Sequence, residues 1–243
     1  MSVIEATNLS KRYGGVTAVN GISLSIDSGE IYGVLGPNGA GKTTTIEMLT
    51  GQTHPDTGTI YVLDVNPVTA PVQARSKLGI LPEREAPPSF MTPREYFTLI
   101  GDIRDMSPDI VESQIDAWSD ELSFKHQLDT LHTDLSRGQQ QKVMITQAFL
   151  HDPSVVVIDE PLVNLDPIMQ ERVKDILIER ASDDRTILLS THDIGVAASI
   201  CTRVGIVDRG ELVTETDVTN SDSEAELLAL FRDATGMETA TRT

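Results

Sequence analysis

The chain has a single cysteine, few aromatic side chains and no long apolar run. Because Cys201 is the only cysteine among 243 residues, neither an intrachain disulfide nor a cysteine-based zinc cluster can form. Nowhere do 18 consecutive apolar residues occur, and the opening residues have no long apolar core. We therefore expect neither a membrane-spanning helix nor a signal peptide. The single cysteine fits a reducing cytoplasm. Because no segment is expected to span a membrane, any membrane role would come through a partner.

Basic side chains are also scarce. Aspartate and glutamate total 37 against 19 lysines and arginines, which gives a formal net charge of −18 and a pI near 4.5. A negative field of this size repels phosphate backbones, so nucleic acid is not expected as the main partner. A surface rich in aspartate and poor in lysine suits solubility at high salt. We hypothesise a halophilic source, and an ordinary acidic cytosolic protein is the alternative.

The order of the apolar segments predicts a single α/β domain that spans residues 1–243. Residues 1–85 alternate in period two between turns, which is typical of strands. Residues 140–218 alternate short buried strands with helices, which indicates a mostly parallel sheet flanked by helices. Residues 86–139 are interpreted as a helical subdomain inserted into this core. Residues 219–243 are predicted to contain one short helix and a polar tail.

Cap signals define the two helices that we expect in the insertion. The sequence TPRE at 92–95 has the form of a capping box with proline at the first helical position. Serine and proline at 107–108 repeat this arrangement before a second helix. The apolar face of that second helix is predicted to comprise Ile110, Ile115, Trp118 and Leu122.

A phosphate-binding loop follows the apolar strand segment IYGVL. The sequence GPNGAGKT at 36–43 fits G-x-x-x-x-G-K-[ST] in every specified position, and a helix pattern follows it. Backbone amides and the helix N-terminus would hold the phosphates, with Lys42 against the β- and γ-phosphates and the Thr43 hydroxyl on Mg²⁺. A glycine-rich turn is the alternative. The loop residues predicted to bind nucleotide are Gly36, Pro37, Asn38, Gly39, Ala40, Gly41, Lys42 and Thr43.

Two acidic residues end the apolar segment VVVIDE. In a fold with a phosphate loop, Asp159 is placed to hold Mg²⁺ and Glu160 to polarise the attacking water. The alternative is that both carboxylates cap the strand or the next helix.

Several short motifs resemble those of the ATP-binding subunit of ABC transporters. They occur in the family's order and extend over nearly the whole chain. The phosphate loop extends to a second threonine, Thr44, and the LSRGQ segment stands where the family has its LSGGQ signature. The motifs are KRYGG (11–15), GPNGAGKTT (36–44), LSRGQ (135–139), VVVIDEP (155–161), VNLD (163–166) and LLSTHD (188–193). The resemblance implies a P-loop NTPase core with an N-terminal antiparallel β subdomain.

The resemblance also implies ATP and Mg²⁺ as cofactors and a homodimer bound head to tail. Each nucleotide would then be held by one copy's phosphate loop and the other copy's signature, in which Ser136, Gly138 and Gln139 take part. The family further assigns adenine stacking to Tyr13, the D-loop aspartate of the nucleotide site to Asp166 and a γ-phosphate contact to His192. From the residues alone, Tyr13 also fits a packing residue, Asp166 a helix cap and His192 an ordinary polar residue.

Two positions depart from the family pattern. Glu83 stands where the family has a glutamine near the metal; a carboxylate can also ligate Mg²⁺, but it adds negative charge beside the triphosphate. A surface-loop glutamate is the alternative. Arg137 replaces the first glycine of the signature. Both features are similar to a branch of the family that pairs with exporter-type (ABC-2) permeases.

The predicted function is ATP hydrolysis that powers transport through a separate transmembrane permease, at the cytoplasmic face of the membrane. Lys42, Glu160 and His192 are the predicted catalytic residues. Soluble ABC ATPases of DNA repair or translation, a non-hydrolysing regulatory nucleotide binder, and a metabolic kinase or GTPase are the rival interpretations. The chain has one phosphate loop, no long coiled coil before the signature and no N-K-x-D element, which argues against most of them.

Overall fold

The computed structural model describes residues 1–83, 86–182, 185–218 and 223–236. Its strands are β1 (Ser2–Tyr13), β2 (Val16–Asp27), β3 (Ile31–Leu35), β4 (Thr57–Val62), β5 (Leu78–Leu81), β6 (Val155–Asp159), β7 (Thr186–Thr191), β8 (Arg203–Asp208) and β9 (Glu211–Asp217). Its α-helices are α1 (Lys42–Leu49), α2 (Pro71–Ser76), α3 (Pro93–Ile103), α4 (Pro108–Glu121), α5 (Arg137–Phe149), α6 (Pro167–Ser182), α7 (Ile194–Ile200) and α8 (Ser223–Thr235). None of the helices in these ranges is long and apolar enough to cross a membrane.

The main sheet has six strands in the order β5-β6-β7-β3-β8-β9. The first five strands are parallel, and β9 pairs antiparallel with β8 as a closing hairpin. Strands β3, β6 and β7 are buried along their whole length, as expected for parallel strands covered on both faces. Their carboxyl ends meet at one edge of the sheet, and this edge carries the phosphate loop and the acidic pair.

A second sheet is formed by strands from the N-terminal part of the chain. It has three antiparallel strands in the order β2-β1-β4. Its buried side chains alternate with exposed ones and pack with residues of β3 and α1 into one of two hydrophobic clusters. The α/β fold with a mostly parallel core sheet and an antiparallel N-terminal sheet is therefore confirmed.

The inserted segment contains α3 and α4, which begin at the predicted caps. Thr92 and Glu95 form the capping box at α3, whereas the Ser107 side chain makes no cap hydrogen bond at α4. The predicted apolar face of α4 was wrong at Ile110, whose side chain is 53% exposed; Val111 is buried instead. Val111 precedes Ile115 by four residues, which places the two on one helical face, whereas a spacing of five does not.

The division of the chain into a core and a helical subdomain at 86–139 stays a prediction. Helix α5 begins at Arg137 rather than after residue 139, so it crosses that boundary. Within the insertion, the Trp118 ring packs against Phe149 of α5 with ring centroids 5.1 Å apart. This contact joins the inserted helices to the helix that carries the signature.

Helices α3 and α4 approach so closely that we expect Gly101→Ala to destabilise the protein. A Cβ at Gly101 would lie 2.3 Å from a methyl carbon of Val111. Overpacking costs about 2 kcal/mol and the better helix propensity of alanine returns about 1 kcal/mol, so the expected net loss is about 1 kcal/mol. Urea unfolding should show the loss, and adding Val111→Ala should remove most of the overpacking. Equal midpoints for Gly101→Ala and wild type would contradict the close approach.

Candidate nucleotide site

The phosphate loop connects the buried strand β3 to α1. Two glycines of the loop have no room for a side chain, because the backbone of neighbouring segments lies against them. A Cβ at Gly36 would lie 2.3 Å from the Val207 carbonyl oxygen, and one at Gly41 would lie 2.4 Å from that of Ala18. Gly41 also has φ +106°, a conformation that favours glycine. These contacts fix the loop between the end of β8 and strand β2.

Lys42 is the first residue of α1, and its side chain folds back over the loop. Its Nζ donates hydrogen bonds to the carbonyl oxygens of Gly36 (2.8 Å) and Pro37 (3.3 Å). Burial lowers the pKa of this ammonium, while the carboxylates of Glu160, Asp159 and Glu83 act in the opposite direction. A cation held in this way at the loop can move its hydrogen bonds to phosphate oxygens.

The loop opens onto a cleft of about 450 Å³. The cleft brings together nine of the predicted site residues, namely Asn38, Gly39, Gly41, Lys42, Thr43, Thr44, Glu83, Asp159 and Glu160, along with residues 16–18 of β2. Its charged residues are three carboxylates and the Lys42 ammonium. Gly36, Pro37 and Ala40 belong to the loop but do not line the cleft.

Asp159 ends β6 at the bottom of the cleft and is 2% exposed. Ser190 of the neighbouring strand β7 donates a hydrogen bond to Asp159 Oδ1. Within the described ranges, the buried Asp159 Oδ2 has no hydrogen-bond partner. A buried carboxylate oxygen without a partner is costly unless a cation or water meets it. Thr43, Glu83 and Asp159, the predicted metal ligands, also line a second cavity that adjoins the cleft.

Glu160 follows Asp159 and contacts His192. Glu160 has φ +54°, an uncommon conformation for a residue other than glycine, and its amide donates to the Ser190 carbonyl oxygen. This conformation turns the side chain toward His192, whose Nδ1 lies 2.7 Å from Glu160 Oε1. Because a carboxylate only accepts, the imidazole N–H is the donor in this contact. Glu160 thus stands between the cleft and a smaller cavity that His192 lines.

The signature residues lie outside the cleft, at the start of α5. The side chain of Ser136 caps the helix by accepting from the Gln139 amide, and Gln139 Oε1 accepts from the Ser136 amide at 2.7 Å. A Cβ at Gly138 would lie 2.9 Å from the Asn164 carbonyl oxygen, so this turn packs on the segment that follows Glu160. Ser136 and Arg137 are exposed.

Asp166 and Tyr13 also lie outside the cleft. Asp166 Oδ1 accepts from the Met169 amide at 3.0 Å and caps α6. Tyr13 stands at the end of β1 opposite Val16, is 47% exposed, and has Lys11 Nζ 5.5 Å from its ring centroid. The nucleotide contacts predicted for these two residues and for the signature stay predictions.

Ser190 and Thr191 were missed by the analysis of the sequence. Thr191 Oγ1 lies 3.5 Å from Glu160 Oε2, so the two residues at the end of β7 contact both acidic residues at the end of β6. The contacts arise from the pairing of β6 with β7, where Asp159 stands opposite Ser190, and no local sequence pattern reveals that pairing.

Comparisons with known proteins agree with this geometry. Residues 19–163 match the family model of the ABC transporter. The chain is 34% identical over 216 residues to the Nod factor export ATP-binding protein I of Burkholderia lata, covering 87% of this chain and 70% of that protein. It is 32% identical over 216 residues to the lipopolysaccharide export system ATP-binding protein LptB of Escherichia coli strain K12, covering 88% and 90%.

Solved structures show the same fold. The structure described as the ATP-binding subunit of an ABC transporter has a TM-score of 0.85 at 27% identity, covering 94% of this chain and 99% of that one. The family model thus matches more than half of the chain. The same chain contains the phosphate loop, the acidic pair and the histidine that contacts Glu160. The protein belongs to the ABC transporter family as an ATP-binding subunit and is an ABC ATPase.

Proposed function

We propose that the chain hydrolyses ATP to power export through a separate transmembrane permease. The observation that carries the proposal is the cleft in which Lys42, Asp159 and Glu160 meet beside the phosphate loop. We propose export as the direction of transport because two relatives are named for Nod factor export and lipopolysaccharide export. The departures at Glu83 and Arg137 support the exporter-type (ABC-2) branch.

We further propose that two copies bind head to tail around ATP. The cleft of one copy would supply the Lys42 ammonium and threonine hydroxyls on one side of the phosphates, while its own signature residues lie elsewhere on the surface. The exposed N-terminus of α5 presents amides and the Ser136 hydroxyl, which are suited to a phosphate group. A partner copy would complete the site, and hydrolysis would remove the contacts that close the dimer.

In this arrangement Glu160 orients and polarises the attacking water, since its carboxylate lines the cleft and can accept from that water. His192 fixes the orientation of that carboxylate through the 2.7 Å contact. Lys42 neutralises charge on the β- and γ-phosphates. Tyr13, near residues 16–18 that line the cleft, would stack on adenine.

The residues present fit Mg²⁺. Within the ranges that the structure describes, no three histidine, cysteine or acidic side chains cluster to hold a metal. Mg²⁺ typically takes one or two carboxylates and completes its shell with phosphate oxygens and water. Asp159, with its unpartnered oxygen, and the Thr43 hydroxyl would hold the ion, with Glu83 beside them. The bound ion would neutralise phosphate charge.

Asp159→Asn is expected to raise the Mg²⁺ concentration needed for half-maximal ATPase activity by about 10–100-fold, because a ligand charge is lost. A Mg²⁺ titration of the hydrolysis rate measures the effect. Asp152→Asn, at an exposed carboxylate paired with Arg185, is the matched control and should leave the titration unchanged. The same midpoint for Asp159→Asn and wild type would remove Asp159 from the metal site.

The permease would contact the segment between Glu83 and α3, which places the protein at the cytoplasmic face of the membrane. Phe90 in this segment is 72% exposed, and the carbonyl oxygen of Met91 accepts from the His132 amide at 2.9 Å. That hydrogen bond ties the segment to the turn that leads into the signature. Movement at the permease would therefore be transmitted to the partner's ATP.

Purification from mildly solubilised membranes tests the transport proposal. We expect a polytopic membrane protein to remain bound to the chain and to stimulate its ATPase activity, and Phe90→Asp to release it. A chain that is active but bound to ribosomes or DNA instead would favour the soluble ABC ATPases.

We also propose a halophilic source for the protein, on the ground of its net charge of −18.

A further inference from the structure

Strand β7 ends in two buried hydroxyl side chains. Residues 187–189 are apolar, as expected for a strand at the centre of a covered sheet, and Ser190 and Thr191 follow them at the edge that carries the cleft. Both side chains are almost fully buried. Burying a hydroxyl is unfavourable unless it makes a hydrogen bond, so each of these two side chains needs a partner inside the protein.

The register of the sheet places Ser190 beside Asp159. Strands β6 and β7 are parallel, and Asp159 stands opposite Ser190. Paired residues of neighbouring strands point to the same face of a sheet, so the hydroxyl and the carboxylate lie side by side. Ser190 Oγ donates a hydrogen bond to Asp159 Oδ1, and the Ser190 carbonyl oxygen accepts from the Glu160 amide at 3.2 Å. One serine thus contacts both residues of the acidic pair.

The hydrogen bond from Ser190 distinguishes the two oxygens of the Asp159 carboxylate. The terminal torsion of an aspartate is broad, so an unrestrained carboxylate can turn either oxygen toward a cation. A serine hydroxyl has one proton and therefore donates to Oδ1 alone. Within the described ranges, the buried Oδ2 has no hydrogen-bond partner. The serine fixes one oxygen and leaves the other available to a ligand.

Thr191 contacts the other carboxylate of the pair. Its Oγ1 accepts from the Asp193 amide at 3.0 Å and lies 3.5 Å from Glu160 Oε2. Successive side chains of a strand point to opposite faces, so the two hydroxyls approach different carboxylates. A separation of 3.5 Å is at the outer limit of a hydrogen bond. Thr191 therefore constrains Glu160 less than Ser190 constrains Asp159.

We propose that Ser190 is a positioning residue for the divalent cation, because its hydroxyl holds Oδ1 of Asp159 and leaves Oδ2 to the metal. The proposal rests on the Mg²⁺ site proposed above, at Asp159 and Thr43, which line both the cleft and the adjoining cavity. Groups that orient a metal ligand typically change metal affinity by about 10–100-fold. Ser190 acts through Asp159, so its loss should affect metal affinity more than the rate of hydrolysis at saturating metal.

Ser190→Ala removes the donor and leaves the phosphate loop and Lys42 in place. With a non-hydrolysable ATP analogue bound, this variant should bind Mn²⁺, the spectroscopic substitute for Mg²⁺, about tenfold more weakly than the wild type. Electron paramagnetic resonance of free Mn²⁺ measures the affinity. The Mg²⁺ concentration for half-maximal ATPase activity should rise by a similar factor, while kcat at saturating Mg²⁺ stays within about threefold of the wild type. Binding of the analogue in EDTA should not change.

Two further variants grade the donor, and they also serve if Ser190→Ala does not fold. Ser190→Thr keeps the hydroxyl and should keep the Mn²⁺ affinity within about threefold, although its added methyl group lowers stability. Ser190→Cys has a similar size but donates weakly, so its Mn²⁺ affinity should lie between those of the serine and alanine proteins. Equal Mn²⁺ affinity for the serine, threonine and cysteine proteins would contradict a role for the hydroxyl.

Thr186→Val is the matched control for the loss of a buried hydroxyl. Thr186 is buried at the other end of β7, where its Oγ1 donates to the Asp27 carbonyl oxygen at 3.2 Å. Its replacement removes a hydrogen bond from the same strand, so stability should fall while the Mn²⁺ affinity stays unchanged. A weaker Mn²⁺ affinity in Thr186→Val would show that general loosening of the sheet explains the effect at Ser190.

A double-mutant cycle shows whether Ser190 acts through Asp159. Asp159→Asn itself weakens Mn²⁺ binding, and adding Ser190→Ala to it should change the affinity by less than about threefold, because the ligand that the serine orients is already lost. A further tenfold loss in the double variant, or wild-type Mn²⁺ affinity in Ser190→Ala, would overturn the proposal while the metal site itself survives. Wild-type Mn²⁺ affinity in Asp159→Asn would refute the metal site and the role of Ser190 together.

Discussion

Replacing Lys42 with alanine is expected to abolish measurable nucleotide binding and to lower kcat/KM for ATP by about 10²–10³-fold or more. The reason is the charge balance of the cleft, where three carboxylates remain once the ammonium is removed. The triphosphate would then meet only negative side chains and the loop amides. Fluorescent ATP-analogue binding and phosphate release measure the two effects.

Lys125→Ala is the matched control for Lys42→Ala. Lys125 lies in the inserted segment, is half-exposed and pairs with Asp116 and Asp120. Its loss removes the same charge and side-chain length far from the loop, so binding and hydrolysis should remain at the wild-type level. Lys42→Ala should also retain its circular dichroism spectrum, since the ammonium only bridges loop carbonyls in the structure. Normal ATP affinity in Lys42→Ala would contradict the assignment of the loop.

Glu160→Gln is expected to lower kcat by about 10²–10⁴-fold while ATP affinity is kept. The amide occupies the same space and can still contact His192, but it cannot accept a proton from the attacking water. Single-turnover hydrolysis and equilibrium binding separate the two effects. This split between binding and catalysis distinguishes Glu160 from Lys42, whose loss affects both.

Glu171→Gln on α6 is the control for Glu160→Gln. Glu171 is exposed and pairs with Lys174 on the same helix. An isolated surface pair of this kind contributes little, so the rate should not change. A normal hydrolysis rate in Glu160→Gln would show that another group polarises the water.

The elements with strong local signals could be predicted from the sequence. The phosphate loop was recognisable because its glycines, lysine and threonine have fixed spacing between an apolar strand and a helix. The buried strand that ends at Asp159 was recognisable as a continuous apolar run, the strand that ends at Thr191 as a short apolar segment between helices, and the capping box at Thr92 as a local pattern. Each of these signals lies within about ten residues of sequence.

The features that depend on long-range contacts could not be predicted. Ser190 and Thr191 contact the acidic pair only because β6 and β7 are neighbours in the sheet. Helix α2 is short, and its sequence carried no periodicity that would reveal it. The start of α5 at Arg137 was placed too late for a different reason, because Ser136 and Gln139 have the spacing of a capping box and this local signal was missed.

The predicted function of the signature involves a second copy of the chain, so the structure of one copy does not show it. Ser136 and Gly138 lie outside the cleft that contains Lys42 in the same copy. The exposure of Ser136 and the intact helix cap are the physical grounds for a role on another copy. In the proposed dimer, the signature of the second copy would complete the site.

The mass of the Glu160→Gln variant in solution, measured by light scattering with ATP and Mg²⁺, tests this claim most directly. We expect a dimer with ATP and a monomer with ADP or without nucleotide. Ser136→Arg, which blocks the helix N-terminus but leaves the cleft intact, should keep ATP binding and remain monomeric. A Glu160→Gln protein that binds ATP and stays monomeric at every concentration, or that dimerises equally without ATP, would contradict the account.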